Sequence, residues 1–258
     1  VCWQLFGTSL MLKLGGIFSP AWNVRYRLLA LMSLAVFMLS APARALEAVD
    51  LELLLLVDVS RSVDANEYIL QRDGYADAFR DPAFYSGYIA SGRYRRIAVS
   101  LVYWSSPNFR QVAVPWMRVD SSASAAEFAA AIIRGSATSD GTGKNARPFD
   151  GTTAPGSALA FGFPRFFDNE YEGLRKVIIV SGDGPENDGI STTKARDEAI
   201  AAGVDTINTL PIASETLKGW YIRNIQAGKD AFTIGAKDFP DLPAAIRYML
   251  QRTLSPNR

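Results

Sequence analysis

The chain has 258 residues, and its 27 Lys and Arg against 26 Asp and Glu leave a net charge of +1, with none of the basic excess that nucleic-acid binding needs. Histidine is absent, which excludes Ser-His-Asp and Cys-His catalysis and His-ligated zinc. The only cysteine, Cys2, lies in a segment expected to be removed, so disulfides, Cys-rich metal sites and cysteine nucleophiles drop out as well.

In chain order, the N-terminal region reads as an export signal. Arg25 and Arg27 form a positive start, Leu28 to Leu39 an apolar stretch, and Ala43-Arg44-Ala45 a small-x-small cleavage site. Residues 1–45 are therefore expected to be removed, leaving a mature domain over 46–258. A membrane anchor is the alternative reading. A spanning helix needs about 20 apolar residues, and the uninterrupted run here is shorter, so no stable membrane span is expected after cleavage. Residues 1–20 are apolar, begin with Val and are left outside the domain.

Leu51 to Asp58 reads as a strand, its apolar run Leu53 to Val57 ending abruptly in an acid, the pattern of a strand buried on both faces of a parallel sheet. Asp64 to Arg80 reads as a helix with Asp64 as N-cap and Glu67 as its capping-box partner. Arg96 to Trp104 is rich in Val, Ile and aromatics and reads as a strand. Gln111 to Val119 alternates and contains Pro115, which suits an edge strand. The turn signal Ser105-Ser106-Pro107-Asn108 joins the two as an antiparallel hairpin. Ser124 to Ile133 is an Ala-rich helix. Residues 135–152 form a polar loop longer than most connections, which marks a functional or mobile segment. Further elements are a helix over Pro155 to Phe167, an apolar strand over Val177 to Val180, and a helix over Thr192 to Ala202 closed by Gly203. Val204 to Pro211 is a strand, Lys218 to Gln226 a helix, Ala231 to Ile234 a short strand and Leu242 to Leu254 the final helix.

This alternation predicts an α/β fold with a mostly parallel central sheet, one antiparallel edge strand and helices on both faces, a three-layer doubly wound arrangement. Right-handed crossovers gather the Asp58, Thr153 and Asp183 loops on one rim. At that rim, Asp58-Val59-Ser60-Arg61-Ser62 supplies three oxygen side chains and no nitrogen or sulfur ligand, a set that suits a hard cation such as Mg²⁺. Alone the pattern is weak, because Asp and Ser at such a turn also cap the next helix.

Two further segments carry a resemblance. Asp58-x-Ser60-x-Ser62, then Gly151-Thr152-Thr153-Ala154-Pro155-Gly156-Ser157-Ala158-Leu159, then Ser181-Gly182-Asp183-Gly184 follow the order and approximate spacing of the metal-ion-dependent adhesion site of the von Willebrand factor A (vWA) family. The likeness spans about residues 49–254 and is greatest to bacterial secreted members without an assigned role. Counting back from Gly156 selects Thr153 as the second element, with Thr152 standing where the family carries a second Gly. The third element, the Asp of a Thr-Asp-Gly-like strand end, falls on Asp183. The resemblance implies a vWA/Rossmann-like fold. It implies Mg²⁺ or Mn²⁺ held by Asp58, Ser60, Ser62, Thr153 and Asp183, the two acids acting partly through bound water. An open coordination position would take a carboxylate from a partner protein. Neither nucleic acid nor enzymatic turnover is expected, and the expected location is periplasmic or secreted in a bacterium. The loop over 135–152 and the segment Glu186 to Ile190 would frame specificity.

Rival readings remain. The same ion could serve a metal-assisted phosphoesterase, although the absence of His removes the usual general base. A purely structural domain with a vestigial site is the third reading. Ser191-Thr192-Thr193-Lys194 has the Ser-x-x-Lys spacing of some acyl-enzymes but sits at a helix start, where caps are expected. Gly141-Thr142-Gly143-Lys144 lacks phosphate-loop spacing and reads as a loop. Trp220 and Tyr221 either line a partner surface or pack under the last helix. Asp188 reads as a turn residue.

Overall fold

The structure is a computed structural model, and it describes residues 45–135, 148, 150–212 and 214–255. Six strands form the central sheet in the order β4-β3-β2-β6-β7-β8. They are β2 (Leu51–Asp58), β3 (Ile97–Trp104), β4 (Arg110–Val119), β6 (Lys176–Gly182), β7 (Thr206–Pro211) and β8 (Ala227–Gly228). The inner pairs β2·β3, β2·β6 and β6·β7 are parallel, and β4 pairs antiparallel with β3 as the hairpin signal predicts. Two-residue β8 adds a second antiparallel edge. A separate parallel pair, β1 (Glu47–Val49) with β5 (Tyr171–Gly173), has no counterpart in the sequence reading.

Period-2 alternation sorts the apolar strand residues onto two faces. Leu51, Leu53, Leu55 and Val57 of β2 face one core with Val99, Leu101, Val177 and Ile179, while Leu54 and Leu56 face the other with Val102, Ile178 and Val180. The first core is covered by α1 (Ala65–Arg80), α2 (Ser122–Gly135) and α6 (Leu242–Leu254). The second is covered by α3 (Pro155–Gly162), α4 (Thr192–Ala201) and α5 (Glu215–Asn224). Three layers result, and every residue of β2, β3, β6 and β7 is buried, which is why apolar residues dominate β2, β3 and β6.

Local chemistry sets the boundaries. Asp64 accepts from the Asn66 and Glu67 amides, and Glu67 accepts from the Asp64 amide, so the capping box starts α1 as expected. The helix expected over Pro155 to Phe167 stops at Gly162 and tightens to 3₁₀ over Phe163–Phe166, because Pro164 lacks the amide that an α-turn needs. α5 begins at Glu215, earlier than expected, because the Ser214 hydroxyl caps the Leu217 amide at 3.1 Å. Asp81 caps a short turn, Pro82–Phe84, that continues into a π-turn over Tyr85–Ile89 and that the sequence reading passed over.

The strand expected over Ala231 to Ile234 is replaced by a single bridge between Thr209 and Thr233. The Asn208 side chain accepts the Phe232 amide at 3.0 Å and so interrupts a regular ladder there. Edge strand β4 carries Pro115, exposed, and register shifts occur at Val99/Leu101 and Leu101/Val102 of its pairing with β3. Most of the long polar loop, residues 136–147 and 149, lies outside the described residues, and so does the export segment up to residue 44. Among the described residues no helix is long and apolar enough to cross a membrane.

Candidate metal centre

Asp58 ends β2 and belongs to the alternate set, with Leu54 and Leu56, that faces α3 and α5. It is 0% exposed. The Ser60 amide donates to its Oδ1 at 2.8 Å, and the Gln71 side-chain amide, from α1, donates to its main-chain carbonyl at 2.7 Å. Its other carboxylate oxygen, Oδ2, is buried without a hydrogen-bond partner. Burial, and after it the negative charge of Asp183, push the carboxyl from 3.8 up to about 8, against the lowering effect of the Ser60 amide. An orphaned buried acceptor of this kind costs about 1–3 kcal/mol, and more when charged.

The remaining members of the set reach the same place from three loops. Ser60 Oγ lies 3.2 Å from Ser62 Oγ. Ser62 Oγ donates to Asp183 Oδ1 at 2.6 Å, and Thr153 Oγ1 donates to Ser60 Oγ at 3.3 Å. All five residues named from the sequence, Asp58, Ser60, Ser62, Thr153 and Asp183, are thus brought together where β2, β6 and the start of α3 converge. Ser191 is not part of the group: its hydroxyl accepts from the Lys194 amide, the helix cap expected of it.

The two adjacent threonines separate cleanly. Thr153 is 4% exposed and joins the cluster. Its amide donates to Asn187 Oδ1 at 2.8 Å, and its carbonyl accepts from the Asn187 amide at 3.0 Å, which fixes it from the loop after β6. Thr152 turns outward, donating to Asp188 Oδ2 at 2.7 Å, with Ser106 Oγ 2.9 Å away. Asp188 is therefore more than a turn residue: through Thr152 it ties the β3–β4 hairpin to the loop after β6. Gly151 precedes them at φ +148°, and a Cβ there would lie 2.1 Å from Ser106 Oγ, so only glycine fits.

Three residues around the cluster take roles that the sequence reading does not give them. Gln71 bridges the ends of β2 and β6, since its Oε1 accepts from Ser181 Oγ at 3.2 Å. Asn187 lies within Glu186 to Ile190, the segment expected to frame specificity, and instead of facing a partner it holds Thr153. Tyr221 packs neither under the last helix nor on a surface: it is fully buried on the α3–α5 face, and its hydroxyl donates to the Gly184 carbonyl at 3.3 Å. Gln71 sits at a buried position of α1, where the polar type was the available signal. The other two depend on contacts across more than 30 residues, for which the chain carries no local pattern.

The donors are three neutral hydroxyls and two carboxylates, all oxygen. Among the described residues no group of three or more His, Cys, Asp or Glu side chains is placed to hold a metal. A small divalent cation fits this set: it would satisfy Asp58 Oδ2 and offset the repulsion between Asp58 and Asp183, and oxygen ligands of this type accept Mg²⁺ and Mn²⁺ alike.

Solved structures with the same architecture carry the vWA fold. The chain is 19% identical to proximal thread matrix protein 1 from the mussel byssus, in a structure with a zinc-occupied metal-ion-dependent adhesion site, at a TM-score of 0.56 over 80% of this chain and 46% of that one. It is 18% identical to a von Willebrand factor type A protein from Catenulispora acidiphila, at 0.51 over 81% and 43%. It is 12% identical to the pilus adhesin SpaC from Lactobacillus rhamnosus GG, at 0.53 over 82% and 32%. The chain spans half or less of the length of each of these proteins. No curated protein matches. A family described as protein of unknown function (DUF1194) matches residues 48–258.

Proposed function

We propose that this chain, which belongs to the DUF1194 family of proteins of unknown function, is a divalent-metal-dependent protein-binding domain that takes a carboxylate from its partner. One observation carries the reading: the Asp58 carboxylate is wholly buried with Oδ2 unpartnered, beside a second acid, Asp183, and the linked hydroxyls of Ser60, Ser62 and Thr153. A buried carboxylate oxygen in that state calls for a cation. Asp58, Ser60, Ser62, Thr153 and Asp183 would hold it, with Mg²⁺ or Mn²⁺ as the resident ion. When bound, the ion supplies an electrophilic position for a carboxylate oxygen. With two acids among five donors, little charge remains to repel that incoming group.

The chain's own residues hold the surround. Thr152, Ser106 and Asp188 lock the rim, Asn187 holds Thr153, and exposed Arg61 lies 3.5 Å from Asp150 at its edge. Exposed Phe109 and Ile190 belong to the two loops that Thr152 ties together and offer apolar contact to a bound partner. Export to the periplasm or beyond, after removal of residues 1–45, fits such a role. The matrix protein and the pilus adhesin among the structural relatives support binding over catalysis.

The test compares the wild-type chain with Asp58→Asn. Mg²⁺ at a hundred times its Kd should raise wild-type stability by about 2.7 kcal/mol and leave the variant unmoved. Capture of a partner from the exporting compartment should need Mg²⁺ and fail in chelator. Full-strength capture by the variant in chelator would overturn the reading. Mg²⁺-dependent turnover of p-nitrophenyl phosphate, lost in the variant, would favour the phosphoesterase instead.

A further inference from the structure

We propose that Tyr221 is a positioning residue of the metal site, its hydroxyl serving Asp58 Oδ2 directly or through one water beside Gly182. The inference rests on the metal-site reading above and adds to it a group from α5, outside all three sequence segments.

Strand alternation supplies the first part of the argument. Ile178 and Val180 of β6 face α3 and α5, so residue 182 points the same way, as Asp58 does from β2. A Cβ on Gly182 would stand 2.5 Å from Tyr221 Oη and 2.7 Å from Asp58 Oδ2. Both oxygens thus crowd the same point beside Gly182, and a side chain there would press on both.

The second part is hydrogen-bond accounting. Tyr221 is fully buried, and its hydroxyl has one partner, the Gly184 carbonyl at 3.3 Å, which is a long bond. Asp58 Oδ2 has none. The phenol has one proton to give, so serving Asp58 means turning it away from that long bond to the Gly184 carbonyl. A protonated hydroxyl next to an unserved carboxylate oxygen is the outer-sphere support that metal ligands commonly carry.

Tyr221→Phe removes only this hydroxyl and keeps the ring in its packing. Calorimetry should show the Mg²⁺ Kd of the variant raised by about tenfold or more, with the melting temperature of the metal-free chain little changed. Tyr75→Phe is the control, because that buried hydroxyl faces Ser181 from α1, on the other side of the sheet. It should bind Mg²⁺ as the wild type does. Independently of any variant at 221, Mg²⁺ added to the wild-type and Tyr75→Phe chains should produce a chelator-reversible tyrosine difference band in the near ultraviolet. Wild-type affinity in Tyr221→Phe, or absence of the band, overturns this inference and leaves the metal site standing. Failure of the wild-type chain to take up Mg²⁺ or Mn²⁺ at all overturns the underlying reading instead.

Discussion

Strand β2 carries a buried carboxylate near each end, and the two environments differ in kind. Glu52, at the amino end, is 0% exposed and amply served. Asn169 Nδ2 donates to one of its oxygens at 2.8 Å, the Gly173 amide donates to the other at 2.8 Å, and Lys176 Nζ lies 3.3 Å away. Asp58, at the carboxyl end, is equally buried, yet one of its oxygens is unserved and its neighbour Asp183 is another acid. The same strand thus finishes one charge inside the protein and leaves the other to be finished by something from outside. The difference separates an architectural carboxylate from one built for a ligand.

The largest effect that would sharpen this contrast is expected at the satisfied end. Lys176→Met strands Glu52 without a cation and should cost about 3 kcal/mol or more, read by urea denaturation. Asp58→Asn should cost the metal-free chain little stability, since below pH 8 the carboxyl it replaces is already protonated and uncharged. A variant pair showing the reverse order would break the comparison.

The next effect is on pH. The Asp58 carboxyl is raised from 3.8 to about 8, so between those values the folded, metal-free chain holds a proton that the unfolded chain has released. Its contribution to stability is present below the lower value and is lost as pH climbs toward 8. The cation needs the deprotonated form, so Mg²⁺ affinity should fall about tenfold per unit below pH 8, equivalent to about 1.4 kcal/mol each. Calorimetry across pH 6 to 9 reads this slope, and a flat profile would show that no proton is displaced. The smallest effect belongs to the rim. Thr152→Val breaks the link between Ser106 and Asp188 and should weaken partner binding by about 0.5–1.5 kcal/mol while leaving Mg²⁺ affinity unchanged.

The apolar runs Leu53 to Val57 and Val177 to Val180 announce the inner strands because burial on both faces disfavours polar residues in them. The capping box at Asp64 marked the start of α1 for an equally local reason. The core of the candidate site was legible since each of its members stands where a strand or loop ends, and topology alone gathers such ends. What stayed hidden depends on distance along the chain. Gln71 meets Ser181 across 110 residues, and Asn187 meets Thr153 across 34. Neither pairing leaves a periodic trace. The ragged edge after β8 was misread because the Asn208 side chain, which has no strand signature, takes the Phe232 amide.

Edge strand β4 has a further consequence. Exposed Pro115 offers no N–H to an approaching strand, and the shifted register beside it bends the row of free backbone groups. Another copy of the chain cannot zip onto this flank and grow a ribbon. In the proposed role, a grip on a partner then falls to side chains at the rim, where it can be made and released.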